Sequence, residues 1–128
     1  MPSGVALVTG SGKRRVGAAV AVALAKRGYD VAVHYRSSES EARATVEELQ
    51  SYGVSAEAFR ADLGNEAEVA AMVDAVFARF GRIDVLVNAA AVWQRKELEA
   101  VTAADVRSNF EANLLGTFLC CQRVGLRM

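Results

Sequence analysis

The amino-acid sequence predicts an α/β fold in which helices cover both faces of a doubly wound parallel sheet. Four short apolar runs alternate with four helical patterns, in the order β-α-β-α-β-α-β-α. Strands that are apolar along their whole length are typical of parallel sheets buried on both faces. The 128 residues, of which 52% are hydrophobic, are enough for one compact domain with a core.

The first β-α unit is the clearest part of the pattern. Residues 5–8 (VALV) form an apolar run that predicts a buried strand. Residues 17–27 are rich in Ala and Val and predict a helix that packs closely on the sheet. Gly28 follows as a helix stop, and residues 31–33 (VAV) predict the second strand.

The middle of the chain repeats the unit with more polar residues. Residues 39–52 carry Ala42, Val46 and Leu49 on one face, the spacing of an amphipathic helix. Residues 54–59 are a weaker apolar run and predict the third strand. The charged residues of the helix fall on the opposite face, where we expect solvent.

The third helix has both a start and a stop signal. Asn65 followed by Glu68 resembles a capping box, and Gly81 ends the pattern. Between them an apolar stripe is formed by Val69, Met72, Val73, Val76, Phe77 and Phe80. The run at 84–87 (DVLV) predicts the fourth strand.

Thr102 and Asp105 frame the start of a last helix, which we expect to run through Val124. Right-handed crossovers between parallel strands then favour the strand order 3-2-1-4, counting strands along the chain. We find no second domain, so residues 1–128 are interpreted as one dinucleotide-binding domain that is incomplete at its C-terminal end, after the fourth β-α unit.

Composition excludes several classes of partner. Lys+Arg and Asp+Glu both number 15, so no net field attracts nucleic acid or anionic membranes. The longest apolar stretch, residues 16–25, is too short to cross a bilayer. The N-terminus, residues 1–4, lacks the pattern of a secretory leader. Adjacent Cys120 and Cys121 do not form a disulfide scaffold. We therefore expect a cytoplasmic protein with no nucleic-acid or membrane partner.

The turn after the first strand is the strongest chemical signal. Residues 8–17 (VTGSGKRRVG) leave a strand and open a helix. Glycines allow close backbone approach, and the helix N-terminus offers free N–H groups and a positive dipole end. This context predicts a pyrophosphate site in a Rossmann-type fold, the alternative being a purely structural turn. A P-loop is rejected, because Leu7 stands where its first Gly belongs and Arg14 follows Lys13.

The end of the second strand favours NADP over NAD. An acidic residue here would bind a ribose 2′-hydroxyl, but the sequence has Tyr35, Arg36 and Ser37. A guanidinium with a neighbouring hydroxyl suits a 2′-phosphate. Lys13, Arg14 and Arg15, placed in the first turn of the helix, are expected to face the same pocket. The alternative is a solvated basic edge.

These motifs resemble the short-chain dehydrogenase/reductase family over the whole chain. Thr9-Gly10 with Gly17 resembles the family's TGxxxGxG turn, and Asp62-Leu63 its adenine-binding pair. Asn88-Ala89-Ala90 resembles the NNAG segment. Asn113 resembles the helix Asn of the Asn-Ser-Tyr-Lys catalytic set. The resemblance implies hydride transfer with a nicotinamide cofactor, a small-molecule substrate, and a dimer or tetramer in which the Asn113 helix forms a subunit interface.

The sequence departs from the family's pattern at three places. A basic residue, Arg14 or Arg15, replaces the second Gly of the turn, which is one residue longer than usual, as in pteridine reductases. Residues 34–37 (HYRS) fit the same subgroup, although 3-oxoacyl reductases have similar strand ends. Ala91 replaces the Gly of NNAG. The catalytic Ser and Tyr-x-x-x-Lys of the family lie farther along than this sequence reaches, and none of its tyrosines has Lys four residues later.

The sequence therefore predicts an NADP(H)-dependent reductase of a carbonyl or pterin-like substrate, complete only in a longer chain. The alternative is a fragment that binds NADPH without turnover, or one with no function of its own. Asn113 is the one expected catalytic residue. The expected cofactor-binding residues are Gly10, Ser11, Gly12, Arg14, Arg15, Val16, Gly17, Tyr35, Arg36, Ser37, Asp62, Leu63, Asn88, Ala89 and Ala90.

Other conspicuous residues receive structural interpretations. One His and two adjacent Cys do not make a zinc site, and we expect no metal. His34 is interpreted as a filler or surface residue, with contact to a 2′-phosphate as the alternative. Trp93 is a packing or surface aromatic or borders the substrate. Cys120 and Cys121 are interpreted as core thiols.

Overall fold

The computed structural model describes residues 3–128. Met1 and Pro2, which belong to the N-terminal residues 1–4 used above in the argument about a secretory leader, lie outside the described residues. Four strands form one parallel sheet in the order β3-β2-β1-β4, which confirms the predicted order. Their bounds are β1 Gly4–Thr9, β2 Tyr29–Tyr35, β3 Ala56–Arg60 and β4 Val85–Asn88.

Helices cover both faces of this sheet. The helices are α1 Val16–Lys26, α2 Glu39–Gln50, α3 Glu66–Phe80, α4 Ala103–Asn109 and α5 Gly116–Gly125, and a short 3₁₀ helix, Leu98–Ala100, precedes α4. Alternate residues of β1 point to opposite faces, so Ala6 and Val8 join one core cluster and Leu7 joins the other. The first cluster includes Ala21 of α1 and Leu49 of α2; the second is built on the apolar stripe of α3 and the inner face of α5.

The third strand begins two residues later than the apolar run predicts. Ladder pairing with β2 starts at Ala56, opposite Val31. Gly53 has φ +87°, and the Ser55 N–H donates to Asp30 Oδ1 at 2.8 Å. Residues 54 and 55 therefore still belong to the turn, although Val54 is apolar.

The last helix is not uniform, in contrast to the prediction. A π-helical segment, Phe110–Leu115, separates α4 from α5 within one continuous helical path. Such wide turns are short and are frequent at functional sites. The segment carries Asn113, whose carbonyl accepts a hydrogen bond from Thr117 Oγ1 at 2.8 Å. The start was predicted correctly, because Thr102 and Asp105 form a reciprocal capping box.

None of the helices within residues 3–128 combines the length and the apolar character that crossing a membrane requires.

Candidate functional site

A cleft of about 490 Å³ opens where the strands end. Its walls come from the turn after β1, the ends of β2 and β3, and the loop after β4. Twelve of the predicted site residues line it: Gly10, Gly12, Arg15, Val16, Gly17, Tyr35, Arg36, Ser37, Asp62, Leu63, Ala89 and Ala90. In a doubly wound sheet this is the edge at which ligands bind, next to the point where the strand order reverses.

The turn after β1 brings backbone atoms closer than side chains allow. Gly10 has φ +64°, and a Cβ there would lie 2.6 Å from the Cα of Ala90. A Cβ at Gly17 would lie 2.5 Å from the carbonyl oxygen of Gly10. Both positions therefore need glycine, the first for conformation and space and the second for space. The result is a bare backbone concavity at the mouth of the cleft.

The N-terminus of α1 has the character of an anion site. Its N-cap residue, Arg15, makes no side-chain cap, and the first turn contains no acidic residue. By contrast, Asn65 caps α3, a capping box closes α4, and two glutamates occupy the first turn of α2. Compared with α2, α3 and α4, the helix α1 therefore has neither a side-chain cap nor an acidic residue to balance the positive end of its dipole, and this end faces the cleft.

The basic residues of the turn lie just ahead of α1, and not in its first turn as predicted, because the helix begins at Val16. Lys13 and Arg15 line the cleft; Arg14 is exposed and does not. Arg36 lines the cleft directly after β2. Within residues 3–128, none of these four cations forms an ion pair, whereas six other arginines do.

The wall at the end of β3 is held in place by α3. Glu68 accepts hydrogen bonds from the Asp62 N–H and from the Arg60 guanidinium. Asp62 Oδ1 accepts the Gly64 N–H at 3.0 Å, which shapes a tight turn. Leu63 is buried and packs against α5 at Gly116, where a Cβ would lie 2.8 Å from Leu63 Cβ. The pair Asp62-Leu63 thus presents one carboxylate and one apolar side chain to the cleft.

Two side chains that the sequence analysis left out of the site hold its backbone. Thr9 Oγ1 accepts the N–H groups of Ala89 and Ala90, both at 3.1 Å, and so joins the end of β1 to the loop after β4. His34 is 3% exposed, and its Nδ1 accepts the Gly10 N–H at 2.9 Å. The surface interpretation of His34 was therefore wrong, because the ring fills the space under the turn.

Four predicted site residues do not line the cleft. Arg14 points to solvent. Ser11 is buried, and its Oγ donates to the Val8 carbonyl at 2.7 Å. Asn88 donates to Cys121 Sγ at 3.4 Å. Asn113 Oδ1 accepts the Val92 N–H at 2.8 Å and its Nδ2 donates to the Val92 carbonyl at 3.0 Å, so this amide holds the loop after β4.

Eight residues outside the predicted cofactor-binding set complete the lining: Lys13, which was expected to face this pocket, His34 and Trp93, for which a cleft role was one alternative, and Ser38, Ala61, Ala91, Val92 and Ala112. Trp93 is 82% exposed at the rim, which fits a border residue better than a packing one. Cys120 is buried, which confirms its interpretation as a core thiol. Cys121 is exposed, so the same interpretation was wrong for Cys121. Residues 3–128 contain no cluster of three or more His, Cys, Asp or Glu side chains able to hold a metal.

Comparison with known proteins places this cleft in context. The family model described as short chain dehydrogenase matches residues 4–128. A 3-oxoacyl-[acyl-carrier-protein] reductase of Staphylococcus aureus is 38% identical over 123 residues, which are 96% of this chain and 50% of that protein. The chain thus spans about half the length of such curated relatives.

Two solved structures are similar to the fold described above. A short chain dehydrogenase from Burkholderia cenocepacia in complex with NADP is 34% identical, with a TM-score of 0.89 over 94% of this chain and 49% of that one. A blue fluorescent protein from a metagenomic library in complex with NADPH is 35% identical, with a TM-score of 0.91 over 99% of this chain and 52% of that one.

Proposed function

Since the chain belongs to the short-chain dehydrogenase/reductase family, we propose that the protein is an NADP(H)-dependent oxidoreductase that reduces a carbonyl or pterin-like substrate. The observation that carries the proposal is a set of unpaired cations that lines the cleft: Arg36 directly after β2, and Lys13 and Arg15 in the turn after β1. The position where an acid would select NAD is occupied by Arg36 itself.

The backbone of the cleft suits the rest of a dinucleotide. The concavity at Gly10 and Gly17 excludes side chains, and the uncapped N-terminus of α1 favours a pyrophosphate. Asp62 and Leu63 offer a carboxylate and an apolar surface to an adenine. When bound, the cofactor supplies the hydride; this chain binds and orients it. The relatives crystallised with NADP and NADPH support the same choice.

Asn113 acts on this site indirectly. Both ends of its amide are engaged with Val92, so the side chain holds the loop that borders the cleft beside Ala91 and Trp93. None of the tyrosines in the sequence is followed by Lys four residues later, and we assign no proton donor among these residues. We keep NADPH binding without turnover as the alternative function. Assays with NADPH and 3-oxoacyl or pterin substrates separate the two.

The cofactor assignment is tested by binding. We expect the protein to bind NADP⁺ more tightly than NAD⁺, and Arg36→Ala to weaken NADP⁺ binding by roughly tenfold while leaving NAD⁺ almost unchanged, because a charge-assisted contact with the 2′-phosphate is lost. Arg43→Ala is the control, since Arg43 pairs with Glu39 on the outside of α2. Equal weakening of both nucleotides by Arg36→Ala contradicts the 2′-phosphate assignment.

We propose further that the helical path containing α4 and α5 contacts a second copy of this protein. Val106, Phe110, Leu114 and Phe118, each four residues after the last, are 47%, 58%, 63% and 55% exposed. A row of large apolar side chains of this kind is typical of an interface. Sedimentation of Phe110→Glu, with Tyr52→Glu at the end of α2 as control, tests this: only the first is expected to yield a monomer.

A further inference from the structure

The His34 ring connects two walls of the cleft. Its Nδ1 lies 2.9 Å from the Gly10 nitrogen in the turn after β1, and its Nε2 lies 2.9 Å from the Ala61 carbonyl oxygen at the end of β3. The ring is 3% exposed. The next two residues after Ala61 are Asp62 and Leu63, so one side chain joins the phosphate side of the cleft to its adenine side.

These two contacts define the protonation state of the ring. A backbone N–H can only donate, so Nδ1 must be unprotonated to accept from Gly10. A carbonyl can only accept, so Nε2 must carry the hydrogen that it donates to Ala61. The ring is therefore neutral, with one tautomer. A second proton on Nδ1 would face the Gly10 N–H, and the buried donor would lose its acceptor.

We propose that His34 is a positioning residue that holds the Gly10 turn in the shape that binds a dinucleotide, and that protonation of its ring releases the turn and lowers nucleotide affinity. The inference rests on the proposed function. If the turn loses its anchor, alternative conformations of the free protein become populated, and apparent affinity falls with the fraction that remains competent.

The surroundings of the ring favour its neutral form. Burial lowers the pKa of His34 most, and the nearby charge of Arg60 lowers it further, although the bond to the Ala61 carbonyl acts in the opposite direction. Among the described residues, β1 and β4 carry no ionisable side chain. The ionisable side chains next to the ring and its two partners are Lys13, Arg14 and Arg15 after Gly10, Tyr35 and Arg36 after His34, and Arg60 and Asp62 on either side of Ala61, with Glu68 bonded to Arg60.

A different role for His34 would give the opposite result. An imidazolium that contacts a phosphate directly binds the nucleotide more tightly as the pH falls, because its charge attracts the anion. A neutral ring that supports the turn binds it more weakly as the pH falls. The sign of the pH dependence therefore separates the two roles.

Two amide variants each keep one of the two hydrogen bonds of the His34 ring and remove the other. In His34→Asn, Oδ1 is as many bonds from the backbone as Nδ1 of His, so an acceptor that does not titrate remains for Gly10. In His34→Gln, Nε2 corresponds to the distal nitrogen and keeps only the donor to Ala61. We expect His34→Gln to bind NADP⁺ roughly tenfold more weakly at every pH, because the part-buried Gly10 N–H is left without its acceptor.

The measurement is nucleotide affinity from neutral pH into the acid range below 6.5, the ordinary pKa of a histidine, because burial lowers the pKa of His34. NAD⁺ is titrated beside NADP⁺, because a 2′-phosphate itself has a pKa of about 6. We expect the wild-type affinity for both nucleotides to fall with acid, and the NAD⁺ affinity of His34→Asn, whatever its value at neutral pH, to stay flat across the same range. The imidazole NMR signal of His34 is identified by its absence from the His34→Asn spectrum. In the wild type, the change of that signal with pH reports protonation of the ring directly.

The outcomes are distinct. If the wild type binds neither nucleotide at neutral pH, the proposed function fails. If it binds but His34→Asn follows the same acid profile, or if wild-type affinity rises on acidification, the positioning role of His34 is overturned and the proposed function stands. If His34→Gln binds as tightly as His34→Asn, the contact with Gly10 has no part in binding.

Discussion

The hydroxyl oxygen of Thr9 lies 3.1 Å from the backbone nitrogen of Ala90 and accepts its hydrogen bond. The same oxygen accepts from Ala89, and the hydroxyl lies 3.4 Å from the Val87 carbonyl, to which it donates. Thr9 is 1% exposed. One buried side chain therefore keeps the loop after β4 against the glycine turn, and the separation of two walls of the cleft depends on it.

The first prediction concerns this hydroxyl. Thr9→Val has nearly the same shape but leaves the part-buried N–H groups of Ala89 and Ala90 without an acceptor, so we expect unfolding free energy to fall by about 1–3 kcal/mol. NADP⁺ affinity should also fall. Thr9→Ser, which keeps the oxygen, is the control. Chemical denaturation of both variants checks the first part, and a Thr9→Val protein as stable as Thr9→Ser contradicts it.

The second prediction compares two glycines of α5. A Cβ at Gly116 would lie 2.8 Å from Leu63 Cβ and 3.1 Å from its carbonyl, whereas a Cβ at Gly125 meets no atom within 4 Å. We expect Gly116→Ala to lower unfolding free energy by about 1–3 kcal/mol, through overpacking. Gly125→Ala should be neutral or slightly stabilising, because Ala is the better helix former. Thermal denaturation of both variants decides.

The third prediction is a pH effect at the start of α4. Bonds from Lys96, and then from Thr102, lower the pKa of Asp105 from 3.8 to about 2. A carboxylate whose folded pKa is lowered contributes stability that is complete above its unfolded pKa and is lost as pH falls towards the folded value. We expect the stability difference between wild type and Asp105→Asn to shrink between about pH 4 and pH 2. The difference for the exposed control Glu97→Gln should stay flatter across this window.

The cap itself is tested at neutral pH. Thr102 Oγ1 accepts the Asp105 N–H at 3.1 Å, and Thr102→Ala removes that acceptor. We expect a loss of about 1 kcal/mol. A Thr102→Ser variant that restores the wild-type value would attribute the loss to the hydroxyl.

The fourth prediction distinguishes the two thiols. Burial, together with the neighbouring Cys121, raises the pKa of the Cys120 thiol to about 11, whereas Cys121 is exposed. Because the thiolate is the reactive form, we expect the native 128-residue chain to show one fast thiol towards a disulfide reagent. Cys121→Ser should abolish the fast reaction and Cys120→Ser should retain it. Two equally fast thiols in the native chain would contradict the arrangement.

Local pattern was sufficient for the fold. β2, β3 and β4 are apolar runs that each follow a helix stop (Gly28, Gly53 and Gly81), and these signals lie within a few residues of each other. The strand order is that of the Rossmann-type doubly wound fold, which the alternation of strands and helices indicates, and it does not follow from any one side chain. The boundary of β3 was misplaced because Val54 is apolar, while the bond that keeps Ser55 in the turn comes from Asp30, which is distant in sequence.

The parts of the candidate site that depend on neighbouring residues in the sequence were predictable. The glycine turn and Arg36 are local signals, and the structure places both at the cleft. The roles of His34 and Thr9 were not accessible, because their partners lie 24 to 81 residues away in the chain. The π-helical segment was missed because such segments are short and rare, so the helical pattern of the surrounding residues predicted an uninterrupted α-helix.

The position of β1 has a consequence for synthesis on the ribosome. This strand lies between β2, which follows it closely, and β4, which pairs with it only after α3 has been made. Until β4 emerges, a nascent chain has one side of β1 without a partner, and such an open strand is a template for wrong pairing. Non-local closure of this kind is also slow. The strand that is fully buried in the finished sheet is thus an open edge during translation until β4 pairs with it.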